Sequence, residues 1–392
     1  MIQNELRKQF YQLFGRETAV IIRAPGRISL LGAHIDYSEG FVMPAAIEQA
    51  VWLAAAPRED GQVVIQAINF EEKGRFQLPS LNVQASSVVG PWLNYPIGVA
   101  WALQEAGHTL SGMDVLVISD LPMESGLSSS AAVEMAFVLA WEAVSRLTLT
   151  GLEKAQIGQK AENEYLGVGS GIQDQFASVH GLANQLVYLD CRTLEHELIC
   201  LPDMPKTAVI LADSGVRRRL ATSNYNSRPE ECREATEILK AHLPEIHTLR
   251  DVTPDDLELY GHHLPEVLRR RAKHVVEECL RVRAGASALK HGDLAAFGRF
   301  IRQSQISSRD HYESSIPELD TLAAAAWQVP GCFGARFGGG GYGGIMQVLV
   351  EKTAVSQVQT AMANAFEQEY GRRPPMLVTS IANGAAVVGR KE

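Results

Sequence analysis

Four short stretches carry residue types spaced for chemistry. The first, PMESGLSSSAAVE (122–134), sets Gly126, Leu127 and three serines, Ser128, Ser129 and Ser130, ahead of an Ala-rich run with helical period. Small residues there let backbone N–H groups approach an anion closely, and a helix N-terminus adds partial positive charge. The hydroxyls can donate to phosphate oxygens or ligate Mg2+; taken alone, they read as an N-capping cluster. The stretch lacks the Lys of GxxxxGK[ST], which excludes a P-loop nucleotide site here. The second, RFGGGGYGG (336–344), places six glycines in nine residues. That pattern suits turns with positive φ, or backbone pressed against a ligand or another loop, and equally a flexible hairpin. In the third, GSGIQDQF (169–176), Asp174 follows a Gly-rich turn, and Glu162 lies twelve residues upstream. A lone carboxylate entering a helix is ordinarily an N-terminal charge. The fourth, GRISLLGAHIDY (26–37), spaces Arg27, His34 and Asp36 like contacts to something small and polar, with Ala33 between Gly32 and His34.

The elements around these stretches alternate in the first half of the chain. AVIIRAPGRISLLG (19–32) reads as two β segments around Pro25-Gly26, followed by strands at 51–57, 61–70 and 113–122. The run 124–147 and the segment 151–167 have the length and period of helices. After 186–202 the texture changes to long, mixed-charge helical segments from about 228 to 329, and strand-like runs return at 345–351 and 376–382. The pattern predicts mixed α/β structure in two domains, 1–200 and 201–392.

Composition narrows the classes. A chain of 392 residues is too long for one ordinary core, and 46% hydrophobic with 21% charged residues is typical of a soluble globular protein. A net charge of −9 provides no basic field for nucleic acid. Five cysteines at scattered positions, Cys191, Cys200, Cys232, Cys279 and Cys332, form no CxxC pair. That argues against a zinc site or disulfide framework and favours a reducing cytosol. The N-terminus MIQNELRKQFYQLFG reads as an amphipathic helix, not a secretory signal, and the apolar stretch 41–57 is broken by Pro44, Glu48 and Gln49. A cytoplasmic protein without a membrane span is expected.

Taken together and in order, the four stretches resemble the GHMP kinases, and within them the galactokinase branch. GRISLLGAHIDYSEGFVMP (26–44) is similar to that branch's GRxNLxGEHxDYxxGxVxP signature. PMESGLSSSAA (122–132) resembles the second family motif, with Glu124 where Gly is usual, and GARFGGGGYGG (334–344) resembles the third. GIQDQF and LDCRTLEHEL resemble the segments between them, so the likeness spans essentially the whole chain. It implies an α+β, two-domain GHMP kinase fold: a ribosomal protein S5 domain 2-like N-terminal domain and a ferredoxin-like C-terminal one.

The resemblance also implies an activity, transfer of the γ-phosphate of ATP to the anomeric hydroxyl of a sugar, with Mg2+. The family's base falls on Asp174 and its sugar-site arginine on Arg27. A carboxylate beside an arginine stays ionised, and the arginine can stabilise charge on the reacting oxygen. The metal ligands fall on Ser130 and Glu162, and Gly126, Leu127, Ser128 and Ser129 cradle phosphate. Ala33, His34, Asp36, Gly171 and Tyr225 fall in the sugar pocket, Trp92 near the adenine, and Gly340 in the closing loop.

One position departs from the pattern. Galactokinases have Glu where this chain has Ala33, facing the C6 hydroxyl of the sugar. Removing that carboxylate removes a repulsion of roughly 4 kcal/mol against an acidic C6 group at ~4 Å. His34, protonated or as an N–H donor, is the expected contact for such a group. The GAHID string also resembles plant galacturonic acid kinases, so D-galacturonate is the expected substrate, with galactose as the alternative. A non-catalytic sugar sensor is a third reading, disfavoured because Ser130, Ala131, Ala132, Glu162 and Asp174 are all present.

Overall fold

The computed structural model describes residues 2–70, 72–78, 91–122, 125–202, 206–217 and 227–390. Its first layer is a mostly antiparallel sheet built on two long strands, β1 (Val20–Leu31) and β2 (Phe41–Arg58). β5 (Gly112–Ser119) pairs with β2, then β3 (Gln62–Ala67) lies parallel to β5, and β4 (Glu72–Gln77) closes that edge. The hairpin β6 (Gln185–Asp190) and β7 (His196–Cys200) joins the far end of β2.

Alternation along the strands divides two apolar layers. Val20, Ile22 and Ala24 of β1, with Val51, Leu53 and Ala55 of β2, face the main core. That core is filled by α2 (Asn94–Glu105), α3 (Ser129–Val144), α4 (Gly151–Lys160) and α5 (Gln173–His180). Ile21, Ala54 and Ala56 face the other way, onto Leu6 and Phe10 of α1 (Ile2–Phe14). Segment 19–32 is therefore one strand, not two. It accommodates Pro25 by shifting register between Pro25 and Arg27, so the missing N–H falls at an irregularity. Gly26 stands there because a Cβ would lie 2.4 Å from a Leu121 methyl and 2.7 Å from the Leu127 carbonyl.

The second sheet, β11-β8-β10-β9, is wholly antiparallel. It comprises β8 (Thr207–Asp213), β9 (Cys332–Phe337), β10 (Ile345–Glu351) and β11 (Met376–Thr379). One face carries Ile210, Ala335, Phe337, Met346 and Val348 against α10 (Pro317–Trp327) and α11 (Val355–Tyr370). The other carries Arg336 and Gln347 toward the first domain, where Gln347 accepts from the Ser29 backbone N–H at 3.1 Å. Between β8 and β9 run α6 (Ser227–Lys240), α7 (Pro254–Tyr260), α8 (Glu266–Lys290) and α9 (Leu294–Asp310). We place the domain division near residue 200 as a proposal, with one amendment. β12 (Ala386–Arg390) returns to pair with β1, so the end of the chain belongs to the first sheet. Among the described residues no helix is long and apolar enough to cross a membrane.

α9 reaches β9 through two facing glycines: a Cβ on Gly298 would sit 2.3 Å from the Phe333 carbonyl oxygen, and one on Gly334 2.6 Å from the Gly298 oxygen. Gly298→Ala therefore overpacks backbone against backbone. We expect a loss of about 1–3 kcal/mol in a urea titration, whereas exposed, helical Ala324→Gly costs only about 1 kcal/mol.

Candidate active site

Arg27 is where the site is anchored. It lies on β1 beside the register shift, 4% exposed, and holds Asp174 with two parallel hydrogen bonds, Nε to Oδ1 at 2.8 Å and Nη2 to Oδ2 at 2.9 Å. Its remaining reach goes to the 122–130 loop: Nη1 donates to the Gly126 carbonyl at 2.6 Å and the backbone N–H to the Leu127 carbonyl at 3.1 Å. Asp174 sits in the first turn of α5, with its side chain 28% exposed and so open on one side.

The serine cluster is not a capping cluster. Ser128 occupies the N-cap of α3 in a left-handed conformation, φ +56°, and its side chain makes no cap bond. Its hydroxyl instead donates to Oδ2 of Asp174. The N-terminus of α3, with Ser129 and Ser130 in its first turn, is thereby joined to the carboxylate. The Gly-rich loop between β9 and β10 is not a free hairpin either. A Cβ on Gly126 would meet the Gly338 carbonyl at 2.7 Å, and one on Gly344 the Ser125 carbonyl at 2.6 Å. The two glycine loops pack backbone on backbone, and each needs the absence of side chains in the other.

Glu162 stands on a π-helical turn, Ala161–Tyr165, that continues α4. Such widened turns re-aim a side chain within a helix, and this one brings the carboxylate to α3. Ser130 Oγ donates to Glu162 Oε1 at 3.3 Å, while Oε2 accepts from Ser170 Oγ at 2.6 Å and Gln175 Nε2 at 3.0 Å. The same Gln175 amide donates to Glu134 Oε2 at 2.9 Å. Burial, then the neighbouring Glu162, raises the Glu134 carboxyl well above its ordinary range; burial and Asp174 raise that of Glu162. The donor set fits a hard divalent cation. Hydroxyl and carboxylate oxygens suit Mg2+, which keeps waters and takes substrate phosphates for its other positions. A divalent cation bound beside these buried acids would favour the ionised form that burial disfavours. Ser130 and Glu162 would hold it, and bound there it would offset charge on transferring phosphate oxygens.

Asp36, half-buried, follows the 32–35 turn, and Gly171 lies against it so closely that a Cβ there would be 2.1 Å from Oδ2. Burial, then the charge of Asp174, lifts the Asp36 carboxyl to about 6. His34, expected to meet an acidic group as a cation or an N–H donor, has its N–H engaged elsewhere and is neutral. Its Nε2 faces the Gly340 carbonyl at 3.0 Å and so donates, leaving Nδ1 to accept from the Tyr37 hydroxyl at 2.9 Å. Tyr37 continues to the buried Tyr312 at 2.8 Å. Burial, with His274 close by, lowers the His34 ring to about 3, so it is neutral at physiological pH. Ala33 is 3% exposed, its peptide N–H on Glu278 and its carbonyl on His274.

Trp92 lies in the 3-10 turn Pro91–Leu93, half-buried against the main core. Tyr225 lies outside the described residues, as does Glu124. Gln175, Ser170, Glu278 and His274 are the groups that sequence reasoning missed; only the adjacency of Gln175 to Asp174 hinted at one of them. A surface groove of about 570 Å3 at α7 and α8, lined by Arg269, Arg270, Lys273 and Glu258 among others, includes none of the site residues.

Comparison with known proteins agrees with this geometry. The chain matches the family models for the galactokinase galactose-binding signature at 8–57, the GHMP kinases N terminal domain at 94–182 and the GHMP kinases C terminal at 286–368. It is 42% identical to a galactokinase of Roseiflexus sp. over 98% of this chain and 96% of that one. It is 38% identical to a galactokinase of Streptococcus mutans over the full length of both. Among solved structures, Lactococcus lactis galactokinase complexed with galactose superposes with a TM-score of 0.94 at 32% identity, covering 99% of this chain and 100% of that one. A mevalonate kinase, at TM-score 0.63 and 16% identity over 93% of this chain and 99% of that one, shares the fold. The chain belongs to the GHMP kinase superfamily, in its galactokinase branch. It has the two-domain GHMP kinase fold and is a sugar 1-kinase, a phosphotransferase that uses ATP with Mg2+.

Asp36 yields a prediction with a definite sign. Its folded pKa lies above its ordinary value, so its contribution to stability is complete below about pH 4 and lost as pH rises through about 6. Asp36→Asn should raise the melting temperature relative to wild type at pH 8, with the advantage vanishing by pH 4, as thermal scans across that range would register.

Proposed function

We propose that this enzyme phosphorylates the anomeric hydroxyl of galactose, giving galactose 1-phosphate. The observation that carries the reading is the Arg27–Asp174 pair, tied through Ser128 to the N-terminus of α3. It sets a carboxylate that accepts or orients a hydroxyl proton beside an anion-binding helix end. Similarity to galactokinases over the full chain supports galactose as the sugar.

In this reading the anomeric hydroxyl donates to the open side of Asp174 while Arg27 stabilises charge gathering on the attacking oxygen. Gly126, Leu127, Ser128 and Ser129 supply backbone N–H groups, and Ser129 its hydroxyl, to the phosphates, and Ser130 and Glu162 would hold Mg2+. Asp36 accepts from ring hydroxyls across Gly171. The neutral His34 ties the sugar turn to Gly340. Phosphoryl transfer needs little beyond such positioning and charge stabilisation.

Galacturonate is the second reading, and Ala33 favours it, because no carboxylate at position 33 repels an acidic C6 group. It ranks below galactose because the cation expected to receive that group, His34, is neutral and engaged on both nitrogens.

Purified enzyme with ATP and Mg2+, offered each sugar separately while ADP release is followed, separates the readings. We expect kcat/KM for galactose to exceed that for galacturonate at least tenfold. The reverse order would establish the second reading, and no turnover of either would return the sensor class. Ala33→Glu should then suppress any residual use of galacturonate and leave ATP binding unchanged. Asp174→Asn should cut kcat about 10²- to 10⁴-fold while the protein still binds ATP, measured by calorimetry.

A further inference from the structure

We propose that His274 and Glu278, one turn apart on α8, are positioning residues for sugar recognition that clamp the Gly32 and Ala33 peptide groups from behind. The inference rests on the reading of the 32–36 turn as part of a sugar pocket and adds residues that no signature motif contains.

The turn is conformationally demanding. Gly32 has φ +93° and His34 has φ +55°, left-handed backbone that a histidine adopts only when its surroundings enforce it. A Cβ on Gly32 would lie 2.7 Å from Val42 Cα. Three hydrogen bonds from α8 hold the turn in this shape. Glu278 Oε1 accepts the Gly32 N–H at 2.9 Å and the Ala33 N–H at 3.1 Å, and His274 Nε2 meets the Ala33 carbonyl at 2.9 Å. Residues four apart share one helix face, so a single helix grips both sides of the Ala33 peptide.

Both gripping groups are themselves fixed. A carbonyl can only accept, so His274 carries its proton on Nε2, and Nδ1 accepts from the Ser307 hydroxyl at 3.0 Å. Glu278 Oε1 also receives Ser304 Oγ at 2.6 Å, and Oε2 receives Arg281 Nε at 2.7 Å. His274, Glu278 and Ser304 are wholly buried. Burial pushes the His274 ring down to about 4, which keeps the single N–H the clamp needs. Burial would raise Glu278, but Arg281 and Arg336 bring it down to about 2, so it stays an acceptor.

The clamp serves one substrate. The 126–130 loop takes its bonds from Arg27 and packs on Gly338, whereas the turn leading to Asp36 takes its bonds from α8. Loosening α8's grip acts first on the sugar side; the turn also reaches the glycine loop through His34 Nε2 and the Gly340 carbonyl, so any effect on ATP passes through that bond and is the smaller.

The test is steady-state kinetics of the full chain with galactose and ATP varied in turn. His274→Ala and Glu278→Gln should raise KM for the sugar at least tenfold, with KM for ATP within twofold of wild type. His274→Gln, whose amide can place an N–H near the position of Nε2, should recover most of the sugar affinity. Where a Glu278 variant fails to fold by circular dichroism, Ser307→Ala replaces it, with a smaller rise of about threefold in sugar KM. Unchanged sugar KM, or parallel rises for sugar and ATP with no recovery in His274→Gln, overturns the clamp while leaving the sugar-kinase reading intact. A wild-type enzyme that turns over no sugar overturns the reading of the pocket, and the clamp with it.

Discussion

The bidentate pair between Arg27 and Asp174 is the constraint on which the active site depends. Arg27 is almost fully buried, and a buried guanidinium is tolerated only when its donors are satisfied. Asp174 takes two of them and the Gly126 carbonyl a third. The same bonds join β1, the first turn of α5 and the loop ahead of α3, so three elements distant in the chain are assembled by one side chain. Removing one partner would leave the other charged and unpaired, and breaking such pairs typically costs about 3–5 kcal/mol. In the proposed reading structural necessity and catalytic use coincide, because the charge that secures the fold would also stand beside the reacting hydroxyl.

Around this pair the site gathers carboxyl groups. Asp36, Glu134 and Glu162 are all held above their ordinary carboxylate range, mainly by burial and secondarily by one another or Asp174. A protein gathers acids in this way at some cost to its own stability, and the arrangement is understandable where a divalent cation is part of the chemistry. In the proposed reading the polyanionic co-substrate would meet the opposite environment, the N-terminus of α3 with its hydroxyls and N–H groups. The two glycine loops pack against each other beside it, which binds the second domain to the phosphate side of the first.

Much of this was legible in the chain. Arg27, Asp174, Ser130, Glu162 and the glycines sit in ordered motifs, and those motifs carry the family whatever the local structure. Local pattern was weaker. Pro25 suggested a break that tertiary pairing absorbs in a register shift, and Ser128 read as a helix cap although its hydroxyl is taken by Asp174. The expected partnership of His34 with an acidic sugar shows the same limit. A histidine beside a missing carboxylate suggests a cation, but the carbonyl of Gly340, about three hundred residues away, accepts its N–H and burial keeps it neutral.

What the sequence alone determined was the class of chemistry, because a phosphate-binding loop, a carboxylate and an arginine need particular residue types in order along the chain. It also determined the alternation that builds the two sheets, since period-2 patterning assigns each strand residue to a face. Only the tertiary structure decided how those groups are held: the π turn that re-aims Glu162, the Gln175 amide bridging two buried acids, and the α8 residues that grip the Ala33 peptide. Each of these depends on contacts between segments far apart in the chain. Such contacts leave no periodic trace, because the geometry that makes them exists only when those segments have packed together.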